Sequence, residues 1–596
     1  MKITMKQMIR FFLLGILLLS LTGCSYFVLQ QEHGEESEQS PALEEPMVPE
    51  EPELSAEEQL AISQRERAVL EEQRKEEMGE FYVPLPAIGD ERDTVTVEAK
   101  ALYVTSNVAG FSFAEEDIQW YADYVRYISG QSTVSVDESR LSEINKLERI
   151  LGLCEATEVN ALVIDVKNDD GLVSWQSDIP IVEEVGSHWS NVMPDYQILM
   201  HYLKEHEIYT IARVVAFKDP FFAKQRPQHA IQLLAGGPYK DNKGIMWVNP
   251  FDAYVWDYNV AISKEAALRG FDEIQYDYVR FPDNAKTYNP ITEFPGRDER
   301  DKDEAIEDFL VYARAELEPY HVHISADVFG VATRSWDDHP EDIGQTWRKI
   351  ANQVDYICPM IYPSHYGPNW YGFAVPDQHP YGVLRASIRE ALERNAAQEN
   401  PGLIRPWVQG FNAPWVPGYI NYDAKAISDQ MVASAELGVR EYIIWNPSNT
   451  YNPMSFFYHD RIDESLWKEG EDVLGRTPQE VLERFFKAEH NDWVSQVYLL
   501  TLRADREANY DDFAQIREEQ GFQLNHYEIL SIEESASPGR YTARVNAEYQ
   551  SIDGIAQLLD ATFDIIMEDH VYKVQVPVLT FVAEEEASEE LMDTAE

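Results

Sequence analysis

The sequence predicts an eight-stranded (β/α) TIM barrel followed by a small α+β domain. Three observations carry that prediction. Short runs rich in β-branched and aromatic residues alternate with helical patterns across the middle of the chain. Polar and charged residues recur at the C-terminal ends of those runs, and after Trp467 the order changes to helices followed by strands. Parallel strands joined by crossover helices require this kind of alternation. A doubly wound open sheet is the alternative. No Gly-rich phosphate loop follows any of the runs, which argues against a dinucleotide or nucleoside triphosphate site.

The chain begins with Lys2, Lys6 and Arg10, continues with the apolar run Phe11 to Leu19, and reaches Leu21-Thr22-Gly23-Cys24. This is the order of a secretory signal, here residues 1–23, and the apolar run is short for a membrane span. The tetrad resembles the lipobox of bacterial lipoproteins. That resemblance implies lipidation at Cys24 and a chain anchored on the extracytoplasmic side of the bacterial cell membrane. Residues 24–94 read as an acidic tether, with prolines in its first half and a charged helix expected from Ala56 to Met78.

The barrel is expected over 95–465. Its strands are Lys100 to Thr105, Ala161 to Val166, Ile208 to Ala216, Glu273 to Val279, Val322 to Val328, Val354 to Ile361, Ile404 to Gly410 and Glu441 to Trp445. Helices are expected at Glu115 to Ser129, Tyr196 to Glu207, Phe251 to Arg269, Lys302 to Leu317, Val383 to Asn395 and Ala424 to Glu436. The α+β domain, 466–583, opens with Thr477, Pro478 and Glu480, the residues of a capping box with proline at the first helical turn. That helix runs to Asn491, and helical sequence continues from Asp492 to Gln520. Strands follow at His526 to Ile532, Tyr541 to Gln550, Ala561 to Ile566 and Val571 to Val582, before an acidic tail, 584–596. The order of elements weakly resembles nuclear transport factor 2-like domains.

Composition narrows the function. The chain has 596 residues, 105 acidic against 49 basic, for a formal net charge of -56. Such a field repels nucleic acid. The three cysteines, Cys24, Cys154 and Cys358, are too few for a disulfide framework and lack zinc-ligand spacing. The acidic run from Asp283 to Glu304 leaves room for a structural calcium but lacks the spacing of an EF-hand loop, so no calcium site is assigned. No cofactor or metal is expected.

Reacting groups in a barrel of this type lie where strands end. That rule selects Asp165 and Lys167 after strand two, Arg213 on strand three, Asp277 and Arg280 on strand four, and Asp327 on strand five. The later strands add Tyr362, His365, Trp407, Gln409, Asn412, Trp445 and Asn446. Carboxylates and amides bind hydroxyl groups, while aromatic faces cover the apolar faces of sugar rings, with Trp175, Trp247, Trp370 and Trp415 as further candidate platforms. Glycosidic cleavage needs one carboxyl group as proton donor and a second that stays ionised. Asp277 and Asp327 end adjacent strands and are the expected catalytic pair, with Arg280 expected beside Asp277 to favour its charged form. The expected substrate is a polysaccharide or oligosaccharide of the cell envelope or its surroundings; the sequence names no protein partner. A non-catalytic glycan-binding barrel and a carbohydrate deacetylase are the alternatives.

Seven blocks, YVTS (103–106), ALVIDVKNDDG (161–171), IQYDYVRFP (274–282), ISADVFG (324–330), VDYICPMIYPSHY (354–366), WVQGF (407–411) and IIWNPSNTY (443–451), resemble the bacterial glycoside hydrolase family catalogued as DUF4015. The resemblance spans Lys100 to Pro453 and implies a TIM-barrel glycosidase. It carries the essential strand-four carboxylate over to Asp277 and the strand-five acid over to Asp327. An aspartate at the latter position has shorter reach than the glutamate common in that superfamily.

Overall fold

The computed structural model describes residues 96–335, 342–463, 470–507, 509–521, 523–537, 539–550 and 556–576, with short pieces between 65 and 82. Cys24, the signal segment, most of the tether and the acidic tail lie outside the described residues. Of the charged helix expected from Ala56 to Met78, the pieces 65, 68–69 and 71–76 are described and are helical.

The barrel strands are β1 (Lys100–Val104), β2 (Ala161–Lys167), β3 (Tyr209–Val215), β4 (Glu273–Asp277), β5 (His323–Phe329), β6 (Tyr356–Ile361), β7 (Trp407–Gln409) and β8 (Tyr442–Trp445). Every neighbouring pair is parallel. The sheet closes because β8 pairs with β1 through Lys100↔Tyr442, and β7 bridges β6 and β8 through Trp407↔Met360 and Trp407↔Ile443. The predicted closed barrel is therefore present. Pro406 has no N–H to give the ladder, so the seventh strand is split into Leu403–Ile404 and Trp407–Gln409. A helix absent from the expectation, Lys146–Ala156, lies between β1 and β2. Its start is fixed by a reciprocal capping box between Asn145 and Glu148.

Alternation along each strand fills the barrel from end to end. At the N-terminal end, Arg405 donates to both oxygens of Glu273 at 2.9 Å and to Glu441 at 2.6 Å, with its guanidinium 3.6 Å from the centre of the Tyr356 ring. Tyr209 and Ser325 also donate to Glu273. Above this plug lie Ala101, Val163, Ile211, Cys358 and Ile443. The C-terminal end carries Tyr103, Tyr362, Trp407 and Trp445 together with the charged residues described below. A mostly apolar layer, interrupted by the fully buried Gln275 donating to Cys358 Sγ, thus separates the two polar ends.

The smaller domain has helices Pro478–His490, Val494–Leu500 and Tyr510–Gln520, so the helical stretch expected from Asp492 to Gln520 is two helices. Its antiparallel sheet contains β9 (Gln523–Glu534), β10 (Arg540–Gln550), β11 (Ala556–Glu568) and β12 (Val571–Gln575), paired in sequence order. The predicted cap is formed: Thr477 accepts from Glu480 N, and Glu480 accepts from Thr477 N. Phe485 and Phe486 on that helix pack against Phe563 of the sheet. Burying each ring contributes about 1.5–3 kcal/mol.

Candidate active site

A cavity of about 910 Å³ opens at the C-terminal ends of the barrel strands, where the strand-end rule places function. Asp169, Arg213, Asp277, Arg280 and Asp283 line it, with Lys243 contributed by the long excursion after β3. Aromatic residues make most of the remaining wall, including Tyr103, Tyr278, Tyr362, Trp370, Trp407 and Trp445.

Arg213 organises the charges. Its Nε and Nη2 both donate to Asp277 Oδ2, at 2.9 and 2.5 Å, and its Nη1 donates to Asp165 Oδ1 at 2.7 Å. Nη2 also reaches Asp169 at 3.3 Å. Burial works against the cation, but Asp277, Asp165 and Asp169 outweigh it and raise its pKa well above the ordinary value. Burial likewise disfavours the charged form of Asp169, yet Arg213 and Lys218 hold its pKa down at about 2. Asp277 Oδ1 accepts from Tyr278 N at 2.5 Å, so three N–H groups converge on this carboxylate.

Asp165 accepts from Tyr103 at 2.6 Å as well as from Arg213. Burial raises its pKa against the pull of Arg213. It lies behind the wall and holds Arg213 and Tyr103 in place.

The structure corrects several expectations. Arg280 does not pair with Asp277. The fourth strand ends at Asp277 instead of Val279 because Tyr278 adopts φ 49°, a left-handed turn that breaks the alternation. Arg280 is thereby sent to Phe281 O and Asp283, and Arg213 is the cation beside Asp277. Lys167 is not at the site either. The ladder with β3 has a register shift between Asp165 and Lys167, and this bulge turns Lys167 to the outer face of the barrel. There it is fully buried, pairs with Asp219 at 2.7 Å and donates to Asn259 and to the carbonyls of Val215 and Ala216.

Asp327 is fully buried and is not part of the cavity wall. Trp407, itself a wall residue, donates its indole N–H to Asp327 Oδ1 at 2.6 Å. Oδ2 has no hydrogen-bond partner among the described residues. Burial raises the Asp327 pKa well above the ordinary value, and the nearby Asp277 adds to the effect. The two aspartates are electrostatic neighbours, but Asp277 alone of the pair faces the hollow.

The three amides staple loops. Gln409 accepts from Ser364 N and donates to Asp377; Asn412 accepts from Tyr422 N; Asn446 donates to Gly410 O and Thr450 O. Trp175 is core, packed on Tyr196 and Phe271. Trp247 lies under Arg280. Tyr362, His365, Trp370, Trp407 and Trp445 line the cavity. Burial lowers the pKa of His365. Sequence reasoning missed Lys243, Tyr278 and Asp283, and it missed Tyr103 even though its alternation with Ala99 and Ala101 points it inward. Among the described residues no group of three or more His, Cys, Asp or Glu is arranged to hold a metal ion.

A hypothetical protein from Ruminiclostridium thermocellum is 33% identical over 38% of this chain and 97% of its own, with a TM-score of 0.28. The PgaB (BpsB) glycoside hydrolase domain of Bordetella bronchiseptica is 12% identical, covering 59% of this chain and 94% of its own, with a TM-score of 0.35. The spore cortex-lytic enzyme SleL of Bacillus megaterium is 13% identical, covering 64% and 76%, with a TM-score of 0.34. No curated protein matches the chain. Residues 133–451, more than half of the chain, match the family model DUF4015, "Putative glycosyl hydrolase domain". By that match the chain belongs to the DUF4015 family of glycosyl hydrolase domains.

Proposed function

We propose that the protein hydrolyses glycosidic bonds in a polysaccharide of the cell envelope or its surroundings, with Asp277 as the carboxylate at the scissile bond. One observation carries the reading: Asp277 reaches the cavity wall on a rigid Arg213 clamp, beside a second carboxyl group, Asp327, whose pKa is raised. Paired acids held in different protonation states are what glycoside hydrolysis requires. Asp277 serves as nucleophile or base. Asp327 holds the proton, and for it to reach the leaving oxygen the indole of Trp407 has to yield, because it covers the acid from the cavity side.

The test is reducing-end release from a panel of envelope and extracellular glycans by the parent protein, Asp277→Asn and Asp327→Asn. Turnover untouched by Asp277→Asn defeats the assignment. Lipidation at Cys24 would hold the enzyme at the membrane surface. If it does, Cys24→Ser releases the protein from the membrane fraction.

A second reading, a barrel that binds glycan without cutting it, is favoured by the seclusion of Asp327 from the wall. It requires a bound oligosaccharide to remain intact through long incubation with the parent protein.

A further inference from the structure

Arg280 is held unlike any other cation in the cavity. It is 5% exposed, and its guanidinium carbon lies 4.4 Å from the centre of the Phe329 ring, 5.0 Å from Tyr278 and 5.1 Å from Trp247. Rings on several sides fix its plane. Only Nη1 is engaged, donating to Phe281 O and to Asp283 Oδ1, both at 2.8 Å. Nε and Nη2 have no partner among the described residues. Those two N–H groups point the same way along one edge of a guanidinium, and that edge is the one that takes both oxygens of a carboxylate. Lys243 lines the same cavity, is exposed, and has no ion pair or hydrogen bond from its amine among the described residues. Arg213, by contrast, is consumed by three aspartates.

We propose that the free edge of Arg280, with Lys243 at the rim, receives the carboxylate of a sugar acid, so that the glycan bound in this cavity is an acidic one. The inference rests on the cavity being a glycan site, as proposed above, and names the chemistry of one sugar in it. The net charge of -56 is no obstacle at contact range. Its field is screened over about 8 Å at physiological ionic strength, so it slows approach more than it weakens a direct two-bond contact. Asp283 neutralises only the opposite edge of the guanidinium, and its side chain is 48% exposed, where water shares the pairing.

The experiment measures binding, so it does not depend on turnover. Full-length Asp277→Asn protein is titrated by calorimetry with an oligogalacturonate, a hyaluronan oligosaccharide and a muramic-acid-containing glycan tetrasaccharide, each beside its carboxyl-reduced form. At least one acid should bind about 10-fold or more tightly than its reduced form, a step equivalent to about 1.4 kcal/mol. Arg280→Lys, which keeps a charge but loses the fork, should abolish that preference, and Lys243→Gln should reduce it. Equal binding of every acid and its reduced form, or no binding by any, overturns the proposal. Should Arg280→Lys fail to fold, the comparison of each acid with its reduced form still decides. Cleavage of a glycan whose carboxyl groups make no difference leaves the hydrolase reading standing and removes this one; acid-selective binding without cleavage does the reverse.

Discussion

Arg213 clamps Asp277 through two N–H groups on a single carboxylate oxygen, and the same guanidinium reaches back to Asp165 at 2.7 Å. The clamp leaves Asp277 little rotational freedom and fixes where its other oxygen, already held by Tyr278 N, stands relative to the cavity. Positioning of this kind turns a carboxylate into a nucleophile or base of defined direction. Removing the cation leaves two buried carboxylates without their counter-charge, held only by Tyr103 and by Tyr278 N. Arg213→Ala is expected to cost about 3–5 kcal/mol in urea unfolding, as breaking a buried pair does. Asp277→Asn, which keeps shape and one acceptor, should stay folded while losing about 1,000-fold or more in glycan turnover. A drop in turnover under tenfold for Asp277→Asn would remove it from the reaction.

Asp327 gives a prediction with a defined sign. Its folded-state pKa is raised, by burial first and by Asp277 second, so the native state holds a proton that the unfolded chain releases near pH 4. Its contribution to stability is complete below that pH and is lost as pH rises toward the folded pKa. Asp327→Asn cannot ionise and still accepts from Trp407. Its stability relative to the parent should therefore climb from about pH 4 upward, by at most about 1.4 kcal/mol per pH unit. Unfolding free energies measured from pH 4 to 8 give the slope, and parallel curves for the two proteins contradict the burial argument. If Asp327 also delivers the proton, Asp327→Asn should spare aryl glycosides with good leaving groups and fail on natural glycans, because only the poor leaving group needs protonation.

How far the sequence was legible follows from these two acids. The alternation that points Asp165, Arg213, Asp277 and Asp327 inward is a property of the ladder, so their strands and faces could be read from the chain. Depth could not. Asp327 is covered because Trp407, eighty positions away in sequence, donates to it across the barrel. No local pattern encodes that contact. The same limit explains Arg280, displaced by a single left-handed residue, Tyr278, and Lys243, which arrives from a loop with no strand periodicity. Six of the seven strand-end motifs fall inside the matched family region, 133–451, while YVTS (103–106) precedes it, and the helix Lys146–Ala156 went unread despite its capping box.

The aromatic surface does not end at the cavity. Phe411 contacts Trp445 and Tyr362 of the wall at 4.9 and 5.9 Å between ring centres, and Trp415 stacks on Phe411 at 6.2 Å while remaining 63% exposed. If the cavity binds glycan as proposed, an exposed tryptophan continuing its wall would be a platform for a sugar further along the chain. Trp415→Ala should leave the melting temperature nearly unchanged, since it removes a surface residue. Affinity for a long oligosaccharide should fall roughly fivefold, equivalent to about 1 kcal/mol, while a disaccharide is unaffected. Equal losses for long and short ligands would place Trp415 outside the path of the glycan.

Lys167 separates a structural role from a substrate role. Its ammonium is fully buried on the outer face of β2, paired with Asp219, whose Oδ1 accepts from Phe222 N at the start of the next helical turn. Burial lowers the Lys167 pKa and raises that of Asp219, each opposed by the other's charge, so the pair holds only while both members are present. Lys167→Met should lose about 3–5 kcal/mol of stability because the buried Asp219 is left without its counter-charge. Adding Asp219→Asn should recover part of that loss, and the size of the recovery in a double-mutant cycle measures the coupling between them. Any active folded variant should keep the parent's KM, because the bulge at Asp165 turns this lysine away from the cavity. A raised KM with unchanged stability would mean that the ammonium reaches substrate after all, and that the register of β2 differs from the one described.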